Sequence, residues 1–342
     1  MFNKFNNDDI FVIAEVGQNH QGDVNLALEY IKIFSELGAD AIKFQMRDID
    51  FLFDEKALNR PYYSENSFAN TYGEHRKKLE LSLDDFKKIQ QQCHNFKVKF
   101  MCTPFEENSL NQLINIGVEI IKISSFDLGN SPFLEKIAKT NLPIVMSTGG
   151  GDDDQIDRSI SLIKQFNNNI SILHCVSEYP CEYHKLGLEK IKILKEKYPD
   201  LVIGSSDHFN GILSGPVAFL QGARVFEKHV TLNRSWKGTD HSFALEPDGF
   251  KKFIRDIKRT SKMLPQKEKS SLGKEMVFKK LGKSIISTND LPAGTVIKNT
   301  DVSSKIFVET YTHVRNMTYI IGKKLKKDIK KNQPIKLEDL SN

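Results

Sequence analysis

Eight short apolar runs, each parted from the next by a longer amphipathic stretch, fill the first three quarters of the chain: residues 10–14, 41–45, 98–102, 119–123, 144–147, 170–175, 202–204 and 224–229. Runs of this length between helical stretches read as buried parallel strands. Eight is the number that closes a (β/α)8 barrel, and right-handed βαβ crossovers make closure in chain order the economical topology. The intervening stretches agree. Asp23 stands where it can cap a helix whose apolar residues Leu26, Ala27, Tyr30, Ile31 and Phe34 recur at helical spacing, and Ser82 with Asp85 resembles a capping box. Phe250, Phe253, Ile254 and Ile257 give the last helix an inward stripe. The fold class is therefore α/β, a TIM barrel over residues 1–264.

A barrel of about 250 residues leaves part of the 342-residue chain for something smaller. After Ser261 the sequence turns rich in Lys, Glu and Ser, so residues 265–280 read as a linker. Beyond it lies a spacing echo. Asp290, Ile297, Lys298, Asp301 and Val302 are matched without a gap by Asp328, Ile335, Lys336, Asp339 and Leu340. With Gly and Pro in its turns, residues 281–342 read as a small pseudo-symmetric β-rich domain. The lysine run from Lys323 to Lys331 has no interleaved aromatics for base stacking and reads as a solvated face.

Charge and cysteine content narrow the partners. The net charge of +5, from 49 Lys+Arg against 44 Asp+Glu, suits an anionic small molecule as well as any polymer and argues for neither nucleic acid nor membrane. Cys93, Cys102, Cys175 and Cys181 have no paired spacing and read as reduced thiols. The first nine residues lack a signal-peptide core, and no apolar run approaches a membrane span, so a cytoplasmic protein is expected.

Polar residues follow these apolar runs in a pattern that suggests chemistry. His208 and His229 close consecutive runs, where neutral imidazoles suit a borderline divalent ion in a barrel mouth. Either one alone reads equally as a satisfied core histidine. Lys43 and Lys122 are unfavourable to bury unless they meet anionic groups, while Thr103, Ser125, Ser147 and Ser206 offer short donors for phosphate oxygens. Each lysine could instead pair with Glu227. Glu15 and Asp127 could orient hydroxyls or move protons, or serve as structural partners of the lysines.

Together these motifs resemble the sialic acid synthase family: AEVGQNHQG at residues 14–22, Lys43-Phe44-Gln45, Thr103-Pro104-Phe105, Lys122-Ile123-Ser124-Ser125, Ser147-Thr148-Gly149, His174-Cys175, Tyr179-Pro180, Ser206-Asp207-His208, Glu227-Lys228-His229 and Gly238-Thr239-Asp240-His241. Residues 281–340 are similar to that family's C-terminal SAF, or antifreeze-like, domain. The resemblance implies condensation of phosphoenolpyruvate with the open-chain aldehyde of an N-acyl hexosamine. N-acetylmannosamine or its 6-phosphate would give N-acetylneuraminate or its 9-phosphate, plus phosphate. It implies that His208 and His229 hold Mn²⁺ or Mg²⁺, and that Lys43, Thr103, Lys122, Ser125, Ser147 and Ser206 bind phosphoenolpyruvate. Gln45, Tyr179 and Asp240 would face the sugar, with Glu15 and Asp127 turned toward the reacting oxygens. It also implies a domain-swapped homodimer, in which Lys305 stands nearest to an arginine that bacterial-type relatives bring from the partner to the sugar.

The chain departs from the family pattern in carrying Ser177 where several members have Asn and Asp127 where many have Glu. Segments around Arg60, Arg76 and Lys237 look closer to the animal-type branch, and could bring those cations to an extra phosphate or be solvated loops. Legionaminic or pseudaminic acid synthesis from a 2,4-diacetamido hexose is the nearest rival. A non-catalytic carbohydrate- or ice-binding protein and a Schiff-base lyase using Lys122 are the rivals of other kinds.

Overall fold

The computed structural model describes residues 1–6 and 9–341. Asn7 and Asp8, in the N-terminal stretch read above, and Asn342 lie outside them. The chain divides into two compact units, Met1–Leu264 and Pro265–Asn342. Each has its own apolar core. Among the described residues no helix is long and apolar enough to cross a membrane.

The first unit is a closed parallel barrel of β1 (Phe11–Gly17), β2 (Ala41–Met46), β3 (Lys99–Pro104), β4 (Ile120–Ile123), β5 (Ile144–Ser147), β6 (Ile170–Cys175), β7 (Val202–Asp207) and β8 (Val225–His229), paired in chain order. β1 completes the ring against β8, with Glu15 opposite His229. All eight expected strands form. Their ends differ by a few residues, because β1, β3 and β7 carry on into polar sequence that the apolar pattern alone does not mark.

The sheet's period of two explains how the strands build a site. One residue set, including Val12, Ile42, Phe100, Ile121 and Ile172, packs outward against the helices. The alternate set includes Ile13, Ala41, Met101, Ile120, Val145, Leu173 and Val225, which form a separate cluster closed off by Phe2 and Phe11. Two residues further along the same strands stand Glu15, Lys43, Thr103, Lys122, Ser147, Cys175 and Glu227. The barrel interior is thus apolar in one layer and charged in the next. A β-bulge at the end of β1, where Gly17 takes φ +56°, ends the regular register beside Glu15.

The helices follow their sequence signals. Asp23 caps the helix Val24–Glu36, accepting from the Asn25 amide, and that helix buries Ala27, Tyr30, Ile31 and Phe34. Ser82 and Asp85 form both bonds of a capping box at the helix Leu83–Asn95. The helix Pro247–Met263 buries Phe250, Phe253, Ile254 and Ile257, and the Phe34 and Phe250 rings meet edge to face at 5.3 Å.

In the second unit, residues 265–280 are not bare linker, since the helix Met276–Leu281 begins within them and they include a short 3-10 turn at Lys269–Ser271. β9 (Lys283–Ser287) pairs with β10 (Val302–Ile306), and β11 (Lys324–Leu325) with β12 (Leu340–Ser341), all antiparallel. The echo is realised as reciprocal bonding. Asp290 accepts from the Lys331 amide at 2.8 Å, and Asp328 from the Ala293 amide at 2.7 Å. Leu291 and Ile329 exchange both backbone bonds at 2.8 Å.

Candidate active site

A cavity of about 860 Å³ opens at the carboxyl ends of the barrel strands. It gathers Glu15, Lys43, Gln45, Thr103, Lys122, Ser125, Ser147, Tyr179, Ser206, His208, His229 and Asp240. Asp127 is not among them. Its carboxylate accepts from the Ser124 hydroxyl at 3.1 Å and the Asn130 amide at 3.2 Å, because the 3-10 turn Ser125–Asp127 turns it into its own loop. The expectation that it faces the reacting oxygens is corrected accordingly. Lys305 belongs to the second unit, on β10 opposite Ser284. Arg60 lies over the Tyr72 ring at 4.5 Å and Lys237 over the Phe68 ring at 5.2 Å, and neither lines this cavity, whereas Arg76 does.

The floor of the cavity is a row of alternating buried charges. Lys43 Nζ lies 2.8 Å from Glu15 and 3.5 Å from Glu227, and Lys122 Nζ lies 3.9 Å from Glu227. Burial opposes the charge on Lys43, but Glu15 and Glu227 outweigh it and hold the ammonium above its ordinary pKa. Lys122 is held below its ordinary value by burial, which Glu227 only partly offsets. Burial likewise raises Glu15, against the pull of Lys43. Hydroxyls surround the lysines: Lys122 donates to Ser147 Oγ at 2.6 Å, Lys43 to Thr103 Oγ1 at 3.3 Å, and Ser206 donates to Glu227 at 3.2 Å.

The two histidines stand with ring centroids 5.2 Å apart. His208 Nδ1 lies 2.8 Å from the Val176 carbonyl, which can only accept, so Nδ1 carries a proton and Nε2 is the ring nitrogen left for a metal. Burial first, then His208 and Lys43, push His229 well below the usual imidazole range, leaving it neutral, the form that ligates a metal. His229 Nδ1 is buried without a hydrogen-bond partner, with Asp240 at 3.7 Å. Tyr179 stacks toward His208 at 4.1 Å, and Phe243 packs against both imidazoles. Among the described residues no group of three His, Cys, Asp or Glu converges on one point. The donor set therefore fits an open site of two protein nitrogens, with the remaining positions left to water or substrate.

Glu227, Arg47, Cys175 and Gln18 also line the cavity. Glu227 entered the sequence reading only as a possible lysine partner. Counting by twos from Val225 reaches Glu227 and then His229, so the strand period was signal enough. Cys175 follows in the same way from Leu173. Counting by twos through Lys43 and Gln45 likewise reaches Arg47, one residue beyond the end of β2.

A barrel whose mouth gathers buried lysines, hydroxyl donors and paired imidazoles is that of an enzyme acting on anionic substrates. Comparison with known proteins makes this specific. The model of the NeuB family matches residues 30–269 and that of the SAF domain residues 282–341. The chain belongs to the NeuB family. It is similar to N-acetylneuraminate-9-phosphate synthase of Homo sapiens, with 34% identity over 97% of this chain and 93% of that protein. N,N'-diacetyllegionaminic acid synthase of Legionella pneumophila is also 34% identical, over 85% of this chain and 84% of its own. Among solved structures, N-acetylneuraminic acid synthetase of Leptospira borgpetersenii in complex with citrate superposes with a TM-score of 0.70 at 33% identity, covering 78% of this chain and 90% of that one.

Proposed function

We propose that the chain is a sialic acid synthase, a transferase that joins phosphoenolpyruvate to N-acetylmannosamine or its 6-phosphate. The observation that carries this is the buried row Glu15, Lys43, Glu227 and Lys122, flanked by Thr103, Ser147 and Ser206 at the cavity floor. In the reaction, C3 of the enolpyruvyl unit bonds to the aldehyde carbon of the open-chain sugar, water adds at C2, and the C2–O bond to phosphate breaks. The products are N-acetylneuraminate or its 9-phosphate, and inorganic phosphate.

Lys43 and Lys122 hold the carboxylate and phosphate of phosphoenolpyruvate, with Thr103, Ser125, Ser147 and Ser206 donating to their oxygens. Glu15 stands beside the reacting oxygens as a candidate for proton transfer, with one carboxylate oxygen 2.8 Å from Lys43 and the other accepting from the Gln45 amide at 2.6 Å. Gln45, Tyr179 and Asp240 face the sugar. Mn²⁺ or Mg²⁺ held by His208 and His229 would supply Lewis-acid polarisation of the aldehyde and activation of water. In a two-fold homodimer, the C-terminal domain covers the partner's barrel mouth and presents Lys305 to the N-acyl group. The unpaired cysteines agree with a cytoplasmic setting.

The legionaminic alternative rests on the 34% identity to the Legionella relative, which covers less of this chain than the human 9-phosphate synthase does, and differs only in the sugar. Steady-state kinetics with phosphoenolpyruvate and each of N-acetylmannosamine, its 6-phosphate and a 2,4-diacetamido hexose decides between them. Phosphate release with either mannosamine form, at higher kcat/KM than with the diacetamido sugar, is expected. The reverse order would transfer the assignment to the legionaminic reaction, and no release with any of the three would end it.

A further inference from the structure

Just past the end of β2, Arg47 reaches a wall of the cavity to which the helix Tyr72–Leu79 also brings Arg76. Both side chains are about nine-tenths buried, at 8% and 10% exposure. They share one carboxylate. Arg47 Nη1 and Arg76 Nη2 each lie 3.4 Å from the same oxygen of Glu80, so neither guanidinium has a bidentate partner. The other contacts are to neutral amides: Arg76 donates to Gln18 at 2.9 Å and Arg47 to Gln45. Arg76 Nε and Gln18 Nε2 remain buried with no acceptor. His75, also on this wall, is held neutral at a pKa of about 4 by burial and by Arg76 and Lys237.

The pair thus presents two fixed positive charges against one negative charge, with donors left over. Stacking of Arg47 on the Phe105 ring at 3.8 Å holds its fork in place, and burial followed by repulsion from Arg76 lowers its pKa to about 10, still charged at neutral pH. The phosphoenolpyruvate lysines already have Glu15 and Glu227, so this excess belongs to a different part of the cavity. An oxygen-rich dianion fits what is missing, since it accepts from two forks at once and balances the second charge.

We propose that Arg47 and Arg76 form a second anion subsite that takes a phosphomonoester carried by the sugar, which makes the phosphorylated hexosamine the substrate. The inference rests on the reaction assigned above and narrows its sugar. Arg47 contacts the Gln45 amide that in turn holds Glu15, so the phosphate is bound by the same chain of side chains that orients a reacting carboxyl. Binding at the far end of the sugar therefore contributes to alignment at the aldehyde.

The test is steady-state kinetics of the full-length protein with phosphoenolpyruvate and either N-acetylmannosamine or its 6-phosphate, repeated with Arg47→Gln and Arg76→Gln. The unmodified protein should prefer the phosphorylated sugar in kcat/KM, and each substitution should shrink that preference by about 10- to 100-fold, as for loss of one charge-assisted contact. Equal efficiency on both sugars in the unmodified protein overturns the subsite even if neither variant folds. So does a preference that survives both substitutions, or a rise in KM confined to phosphoenolpyruvate, which would assign the arginines to the other substrate. Turnover of neither sugar overturns the reaction itself and this subsite with it, whereas turnover without discrimination removes the subsite alone.

Discussion

At the scale of single residues, the charge states in the barrel mouth make activity sensitive to alkaline pH. Lys122 binds an anion only while protonated, and burial holds its pKa below the ordinary 10.5. Lys43 is held above that value, so over the same range it stays charged. The KM for phosphoenolpyruvate should accordingly rise as pH climbs through the lowered Lys122 pKa. Lys122→Arg should move that rise to higher pH, and an alkaline limb indifferent to the substitution would assign the titration to another group. The paired imidazoles carry a second expectation. Exhaustive chelation should abolish turnover and added Mn²⁺ restore it, while His208→Ala and His229→Ala should fold, as judged by circular dichroism, yet lose activity by about 10²-fold or more. Full turnover in chelated protein would remove the metal from the mechanism.

At the scale of elements, the helices are fixed by what they bury rather than by their polar faces. Phe34 and Phe250 are fully buried where the first and last barrel helices meet. Phe34→Ala should lower the stability of the barrel by about 3–5 kcal/mol, measured on the barrel's own transition in denaturant, with the KM for phosphoenolpyruvate little altered in the surviving folded protein. Gly204 in β7 shows the opposite limit, since a Cβ there would stand 2.1 Å from the Val225 carbonyl and 2.5 Å from Leu173. Gly204→Ala should cost about 1–3 kcal/mol through overpacking. Much of this was legible in sequence. All eight strands, the Asp23 cap and the Ser82 capping box follow from local pattern, because apolar period and cap chemistry are local physics. Twelve of the expected site residues reach the cavity for the same reason, being strand-end or loop residues near it. The turn of Asp127 toward the reacting oxygens was expected from the family resemblance rather than from the strand period, whose inward positions on β4 are Ile120 and Lys122, and the three-residue 3-10 turn Ser125–Asp127 bends its carboxylate into its own loop. Arg47 and Arg76 could not be paired from sequence, because their common partner Glu80 joins them only once β2 and the helix Tyr72–Leu79 have packed.

At the scale of the whole molecule, two units with separate cores allow the barrel to be studied alone. A chain cut back to residues 1–264 should stay folded and keep its KM for phosphoenolpyruvate. If the C-terminal domain serves the partner's sugar site, the same truncation should raise the sugar KM roughly tenfold or more, equivalent to about 1.4 kcal/mol, and sedimentation should show loss of the dimer. A truncated chain with both constants unchanged would leave the second unit without a part in substrate binding. Within that unit, the bonds that Asp290 and Asp328 exchange across the two halves have a further effect. Each half supplies the acceptor that the other's turn lacks, and the backbone pairings of Leu291 with Ile329 and Ile285 with Ile335 are likewise made between halves. Continuity of the chain between them is then dispensable: a proteolytic nick within the exposed loop at residues 308–310 should yield two fragments that co-migrate under native conditions and part only in denaturant, a protein complementing itself from its own pieces.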